Sequence, residues 1–68
     1  MSPAQRWRIQ AARDIVPNLW AVDPWHARNY VTGLWADVDV EDRLFHQRRQ
    51  VAVAAQESLV ALMTGENP

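Results

Sequence analysis

The chain has 68 residues, of which 49% are hydrophobic, and its formal net charge is −1 at pH 7. The length allows one domain, 1–68, and the hydrophobic content excludes a disordered polar segment. The charge gives no general attraction to nucleic acid or anionic lipid, so neither is an expected partner. Cysteine is absent, which excludes disulfides. A chain this small usually needs an additional source of stability, such as a second subunit.

The first helix is predicted from its start signals. Ser2 and Gln5 form a capping-box pattern, and Pro3 occupies the first helical position, where its missing N–H costs nothing. We expect a helix over about 3–16, because Pro17 ends or kinks a helix. The first tryptophan lies on an apolar face at helical spacing and is therefore expected in the core. That face comprises Ala4, Trp7, Ala11 and Ile15.

The connection between Pro17 and the second helix is unusually apolar for a loop. Trp20 lies in this connection and Trp25 lies at the start of the second helix. For both residues, packing in the core and binding of a partner are equally consistent with the sequence. Full burial is harder in a connection, and tryptophan is enriched in the hot spots of protein interfaces. We therefore predict a partner-binding site formed by Leu19, Trp20, Val22 and Trp25.

The second helix is predicted over about 24–36, because Asp23 is a good cap residue and Pro24 follows it. Trp35 flanks its apolar side and is expected to face the core. Gly33 weakens the helix by about 1 kcal/mol relative to alanine, and it leaves room for another backbone to approach. The apolar side consists of Ala27, Tyr30, Val31 and Leu34.

The third helix is predicted over about 40–64. These 25 residues contain neither glycine nor proline, Asp39 precedes them as an N-cap, and Gly65 ends them. One helix of that length is about 38 Å long, whereas a compact chain of this size is only about 30 Å across. A helix longer than its domain protrudes or packs against another copy of the chain.

The face of this helix that is expected to meet the core comprises Leu44, Phe45, Arg48, Val51, Ala52, Ala55, Leu59, Leu62 and Met63. Its second half, 51–63, is apolar on nearly every side, and a helix of that kind is usually buried on every side. We therefore predict a homodimer whose interface consists of Arg49, Val53, Val60 and Met63.

No motif in the sequence predicts catalysis. Ser2 and Ser58 have no histidine or aspartate at a recognisable spacing, and the two glycines do not form a phosphate-binding loop. The acidic residues in 37–42 do not follow the EF-hand pattern and suit a solvated helix start. His26 and His46 are 20 positions apart with no cysteine to complete a zinc site. We therefore expect no enzyme activity, no cofactor and no metal.

These features together predict a small all-α protein of three helices with a long C-terminal helix, assembled as a homodimer. The expected function is an adaptor or inhibitor that binds and occludes a larger protein partner, of the kind that phage and mobile elements encode. The expected location is the cytoplasm, because no secretory signal is visible and the most apolar stretch, 51–63, is shorter than the roughly 20 residues that span a bilayer.

Two alternatives remain open at this point. The last two predicted helices resemble a helix-turn-helix, which would make the chain a DNA-binding transcriptional regulator. Its DNA contacts would be Arg43, Gln47, Arg48 and Gln50, with Arg6, Arg8 and Arg13 available from the first helix. Against it, Glu41 and Asp42 would lie at the start of the recognition helix and repel phosphate. The other alternative is a subunit that folds only within a larger assembly.

Overall fold

A computed structural model describes residues 2–41 and 46–65. The described chain forms three helices, α1 (Pro3–Val22), α2 (Pro24–Glu41) and α3 (Gln47–Thr64). Neither described range contains a β-strand. The predicted all-α class with three helices is therefore confirmed, although the boundaries of all three helices differ from the prediction.

The start of α1 agrees with the prediction. The Gln5 N–H donates to the Ser2 side-chain oxygen at 3.1 Å, and Pro3 occupies the first turn. The Gln5 side chain is buried and turns to α3, where its Nε2 donates to the Gln47 carbonyl at 2.7 Å and to Gln50 Oε1 at 3.3 Å. The residue that helps to begin α1 therefore also ties α1 to α3.

The predicted end of the first helix at Pro17 is wrong, because α1 continues to Val22. A proline inside a helix cannot donate to the carbonyl four residues earlier, which here belongs to Arg13. That carbonyl accepts a hydrogen bond from Ser58 Oγ of α3 at 3.2 Å instead. A donor from another helix thus replaces the bond that Pro17 cannot make.

One residue, Asp23, joins α1 to α2. Its N–H donates to the Leu19 carbonyl at 2.8 Å, its carboxylate accepts from the Trp25 N–H at 3.0 Å, and its carbonyl accepts from the His26 N–H at 2.9 Å. The predicted start of the second helix after Asp23 is confirmed. The predicted connection after Pro17 is wrong, because its residues belong to the last turns of α1.

The predicted 25-residue third helix is also wrong. Asp39 does not cap it but lies inside α2, which runs to Glu41. The backbone at His46 is left-handed, with φ of 58°, and α3 begins only at Gln47. With 18 residues, α3 is about 27 Å long and fits within the 34 Å extent of the described structure. The third helix is therefore not longer than the domain, so its length no longer argues for self-association.

The end of α3 agrees with the prediction. Gly65 adopts a left-handed conformation with φ of 75°, and its N–H donates to the Ala61 and Leu62 carbonyls. Glycine accepts that conformation without a steric penalty. Residues 42–45, which were predicted to belong to the third helix, lie outside the described residues. They include Leu44 and Phe45 of the expected core face.

The three helices form an up-down-up bundle. Gln5 contacts the start of α3 and Arg13 contacts Ser58 farther along it, so α1 and α3 run in the same direction. Because one residue joins α1 to α2, and Glu41 at the end of α2 forms an ion pair with Arg48 at the start of α3, α2 runs in the opposite direction.

Small side chains form the interior of the bundle. The buried apolar residues are Ala12, Val16, Ala27, Val31, Ala52, Ala54, Ala55 and Leu59. Larger side chains lie half-buried around them: Leu19, Trp20, Tyr30, Leu34, Trp35, Val51 and Leu62. The predicted core faces of α2 and of the second half of α3 are therefore largely confirmed, with Trp35 at the edge of the core. Met63 is an exception, since it is exposed.

The predicted core face of α1 is wrong. The buried residues are Gln5, Ala12 and Val16, and Trp7 is 73% exposed. The buried face begins one residue after the predicted one, which corresponds to a rotation of about 100° around the helix. Apolar residues occupy both faces, so their spacing alone does not decide which face meets α2 and α3.

The expected close approach of a backbone at Gly33 is also wrong. Gly33 is exposed on α2, and a Cβ atom added there would have no neighbour within 4 Å. The glycine therefore leaves open space on the outside of the bundle.

Candidate interaction surfaces

The four predicted partner-binding residues divide into two pairs. Leu19 and Trp20 are half-buried and pack against the core. Val22 is 79% exposed and Trp25 is 62% exposed. Val22 and Trp25, on either side of the α1–α2 junction, are called the hinge patch below. Two of the four predicted residues are thus exposed and two pack against the core, and partner binding by this segment stays a prediction.

Asp23 fixes the geometry of the hinge patch. Its carboxylate accepts from the backbone N–H of Trp25, and its other oxygen lies 4.0 Å from His26 Nε2. These contacts hold the first turn of α2 directly after the last turn of α1. The Val22 and Trp25 side chains are therefore displayed on a short, hydrogen-bonded corner rather than on a long loop.

The predicted dimer interface lies on the outer side of α3. Val53, Val60 and Met63 are among the exposed large apolar residues, and Arg49 is exposed beside them. Their spacing places the four on one side of the helix, interrupted by the exposed polar residue Gln56. The structure describes one copy of the chain, so the homodimer stays a prediction.

A groove between α1 and α3 begins at this face. It has a volume of about 510 Å³, and its lining consists of Ile9, Arg13, His46, Arg49, Gln50, Val53, Ala54 and Glu57. Arg49 and Val53 belong to the predicted dimer interface, whereas Ile9 was not predicted to belong to any site. The misplaced core face of α1 explains the omission. Arg6, Ile9 and Arg13, spaced at three and four, form a side of α1 that could have been read as a second face.

A second groove lies between α1 and α2, with a volume of about 650 Å³. Trp7 and Ala11 line one side, and Tyr30 and Leu34 line the other. Burial raises the pKa of the Tyr30 hydroxyl above its ordinary value of 10.0, because the charged form loses solvation. Glu41 at the end of α2 also lines this groove, together with three residues of α3, namely Gln47, Arg48 and Val51.

The residues of the helix-turn-helix alternative are only partly described. Arg43 lies outside the described residues. The Gln47 carbonyl and the Gln50 side chain accept hydrogen bonds from Gln5, and Arg48 pairs with Glu41. Because α3 begins at Gln47, the acidic residues of 41–42 are not in its first turn. Repulsion between these acids and DNA phosphate is therefore no longer an argument against DNA binding. However, Gln47, Arg48 and Gln50 already make contacts within the fold.

Neither a metal site nor a membrane span is found in the described residues. No group of three or more His, Cys, Asp or Glu residues within 2–41 and 46–65 could hold a metal ion. No helix in these ranges is long and apolar enough to cross a membrane.

Comparison with known proteins gives no relative: no family model matches the chain, and no curated protein or solved structure matches it.

Proposed function

We propose that this chain is a small non-enzymatic interaction module, an adaptor or inhibitor that binds and occludes a larger protein in the cytoplasm. The observation that carries the proposal is the distribution of side-chain sizes. Among the described residues, Val16 is the largest side chain that is fully buried, whereas Val22 and Trp25 of the hinge patch are mostly exposed. Exposed tryptophan is typical of surfaces that bind another protein.

The apolar area of Trp25 is large enough to contribute to binding. A tryptophan side chain buries roughly 150–250 Å² when it is covered. With 62% of Trp25 exposed, covering it would remove on the order of 100 Å² from water, which corresponds to about 2–3 kcal/mol. The hydrogen bond from the Trp25 N–H to Asp23 holds the backbone of this residue in place, so little backbone entropy is lost when a partner covers it.

Affinity capture tests this proposal. The immobilised chain is compared with Trp25→Ala and with Trp7→Ala, a matched control that removes a similarly exposed tryptophan at the other end of α1. We expect the wild type and Trp7→Ala to retain the same protein, and Trp25→Ala to lose it while keeping its helical circular dichroism. Retention of every captured protein by a folded Trp25→Ala would contradict the proposal.

Self-association is a second part of the proposal, since it supplies a small domain with additional buried area. It is supported by the exposed apolar side chains on the outer side of α3. Light scattering coupled to size exclusion should give the mass of a dimer for the wild type. The double variant Val53→Asp and Val60→Asp should give the mass of a monomer. A monomer mass for the wild type at high micromolar concentration would contradict the dimer.

A further inference from the structure

We propose that the α1–α3 groove binds an acidic amphipathic helix of a protein partner. The inference rests on the proposed function in one respect, namely that the occupant is a segment of a protein. It concerns a different surface from the hinge patch, because neither Val22 nor Trp25 lines this groove. The groove shares Arg49 and Val53 with the predicted dimer interface, so the partner helix is expected to compete with a second copy. The groove specifies the charge and the secondary structure of the partner segment, whereas the hinge patch alone specifies neither.

Basic side chains surround the groove although the whole chain is slightly acidic. Arg13, His46 and Arg49 line it, and Arg6 lies seven residues before Arg13, on the same side of α1. All four side chains are exposed. Two acidic residues of α2, at positions 37 and 41, line the other groove, between α1 and α2. Arg8 and Arg48 line that groove as well, so it carries both signs of charge. In the α1–α3 groove the arginines outnumber the single acidic residue, Glu57.

The floor of the groove is apolar. Ile9 is half-buried, Val53 is partly exposed, and Ala54, which also lines the groove, is buried. An apolar floor with basic edges is complementary to a helix that has one apolar stripe and acidic flanks.

The start of α3 adds to the positive potential at one end of the groove. The first turn of α3 contains no acidic residue, and the His46 side chain makes no capping hydrogen bond. The helix dipole places partial positive charge at this end. This partial charge adds to the positive potential from Arg49, which lines the groove there together with His46.

An acidic helix fits these observations better than a nucleic acid does. Phosphate contacts would use the basic edges but would leave the apolar floor uncovered. The net charge of the chain also lacks the basic excess that is typical of a nucleic-acid-binding domain. Glu57 lines the same groove and repels an anionic occupant. Removal of its charge therefore tests the proposal.

The test uses the ¹⁵N-labelled full chain and a designed helical peptide. The peptide is about 18 residues long, close to the length of α3, with leucine along one stripe and glutamate on both flanks. A matched peptide carries lysine in place of every glutamate. We expect saturable changes in the amide resonances of Ile9, Arg13, Val53 and Ala54 with the glutamate peptide, and none with the lysine peptide.

Charge variants of the chain then locate the contact. The double variant Arg13→Glu and Arg49→Glu should weaken binding of the glutamate peptide about tenfold or more. Arg28→Glu is the matched control, since it reverses an exposed arginine on α2, and it should change the affinity less than about twofold. Glu57→Gln should tighten binding about twofold, because it removes the opposing charge. Circular dichroism confirms that each variant is folded.

Several results would overturn the inference. Equal binding of the two peptides, equal effects of the double variant and Arg28→Glu, or no saturable binding at about 1 mM peptide would each do so. Tighter binding of duplex DNA at the same residues would assign the groove to nucleic acid. A wild-type dimer that the glutamate peptide does not dissociate would assign it to a second copy. If the peptide does not bind while Trp25-dependent capture persists, the groove assignment fails and the proposed function stands.

Discussion

The interior of the bundle and the hinge patch use hydrophobic residues in opposite ways. The buried apolar residues within 2–41 and 46–65 are alanines, valines and Leu59, whereas the hinge patch displays a tryptophan and a valine to solvent. Burial stabilises a fold roughly in proportion to the apolar area removed from water. The hinge patch therefore contributes little to the stability of the isolated chain and leaves its area available to a partner.

The largest expected effect contrasts one residue from each region. Leu59→Ala should lower the free energy of unfolding by about 3 kcal/mol, because it removes buried methyl groups and leaves a cavity. Trp25→Ala removes a larger side chain but should cost less than about 1 kcal/mol, since that side chain is mostly exposed. Urea denaturation measures both. Equal losses would contradict the division between interior and hinge patch.

The second prediction concerns how α1 is held against α3. Ser58→Ala should lower the free energy of unfolding by about 1 kcal/mol, because the Arg13 carbonyl loses its donor. In a Pro17→Ala background the same change should cost less, since an alanine at that position supplies the N–H that the proline lacks. A double-mutant cycle in urea measures the coupling. Equal costs of Ser58→Ala in both backgrounds would show that Ser58 does not compensate for Pro17.

The third prediction has the opposite sign and tests the outer side of α2. Gly33→Ala should raise the free energy of unfolding by roughly 0.5–1 kcal/mol, because alanine favours the helix. The added methyl group has no neighbour within 4 Å, so it meets no steric resistance. Thermal denaturation followed by circular dichroism measures the change. A destabilised Gly33→Ala would indicate that another surface covers this side of α2.

The smallest expected effect concerns Tyr30, which lies at the border between interior and surface. Burial raises the pKa of its hydroxyl above 10.0, so the unfolded chain deprotonates first. The corresponding stability is complete below about pH 10 and is lost as the pH rises through the raised pKa. Tyr30 is the single tyrosine of the chain, so ultraviolet absorbance reports it alone. A folded-state midpoint at or below that of the urea-unfolded chain would contradict this.

The features that could be predicted from the sequence are local ones. Ser2 and Pro3 begin α1, Asp23 and Pro24 begin α2, and Gly65 ends α3, because each acts through its own backbone neighbours. The core positions of α2 were also predictable, since its apolar residues occupy one side.

The features that could not be predicted depend on distant residues. The continuation of α1 past Pro17 depends on Ser58, 41 positions later. The orientation of α1 could not be chosen, because apolar residues such as Trp7 and Val16 lie on two of its faces. The break before α3 occurs at His46 without a glycine or a proline. The misplaced face of α1 also concealed the α1–α3 groove, since it left Ile9 outside any predicted site.

The central claim is that Trp25 serves a partner rather than the fold, and it is tested most directly by measuring both properties of Trp25→Ala. We expect a free energy of unfolding within about 1 kcal/mol of the wild type, together with loss of the protein that wild type and Trp7→Ala capture. A Trp25→Ala variant that is destabilised as much as Leu59→Ala, or that still captures that protein, would contradict the claim.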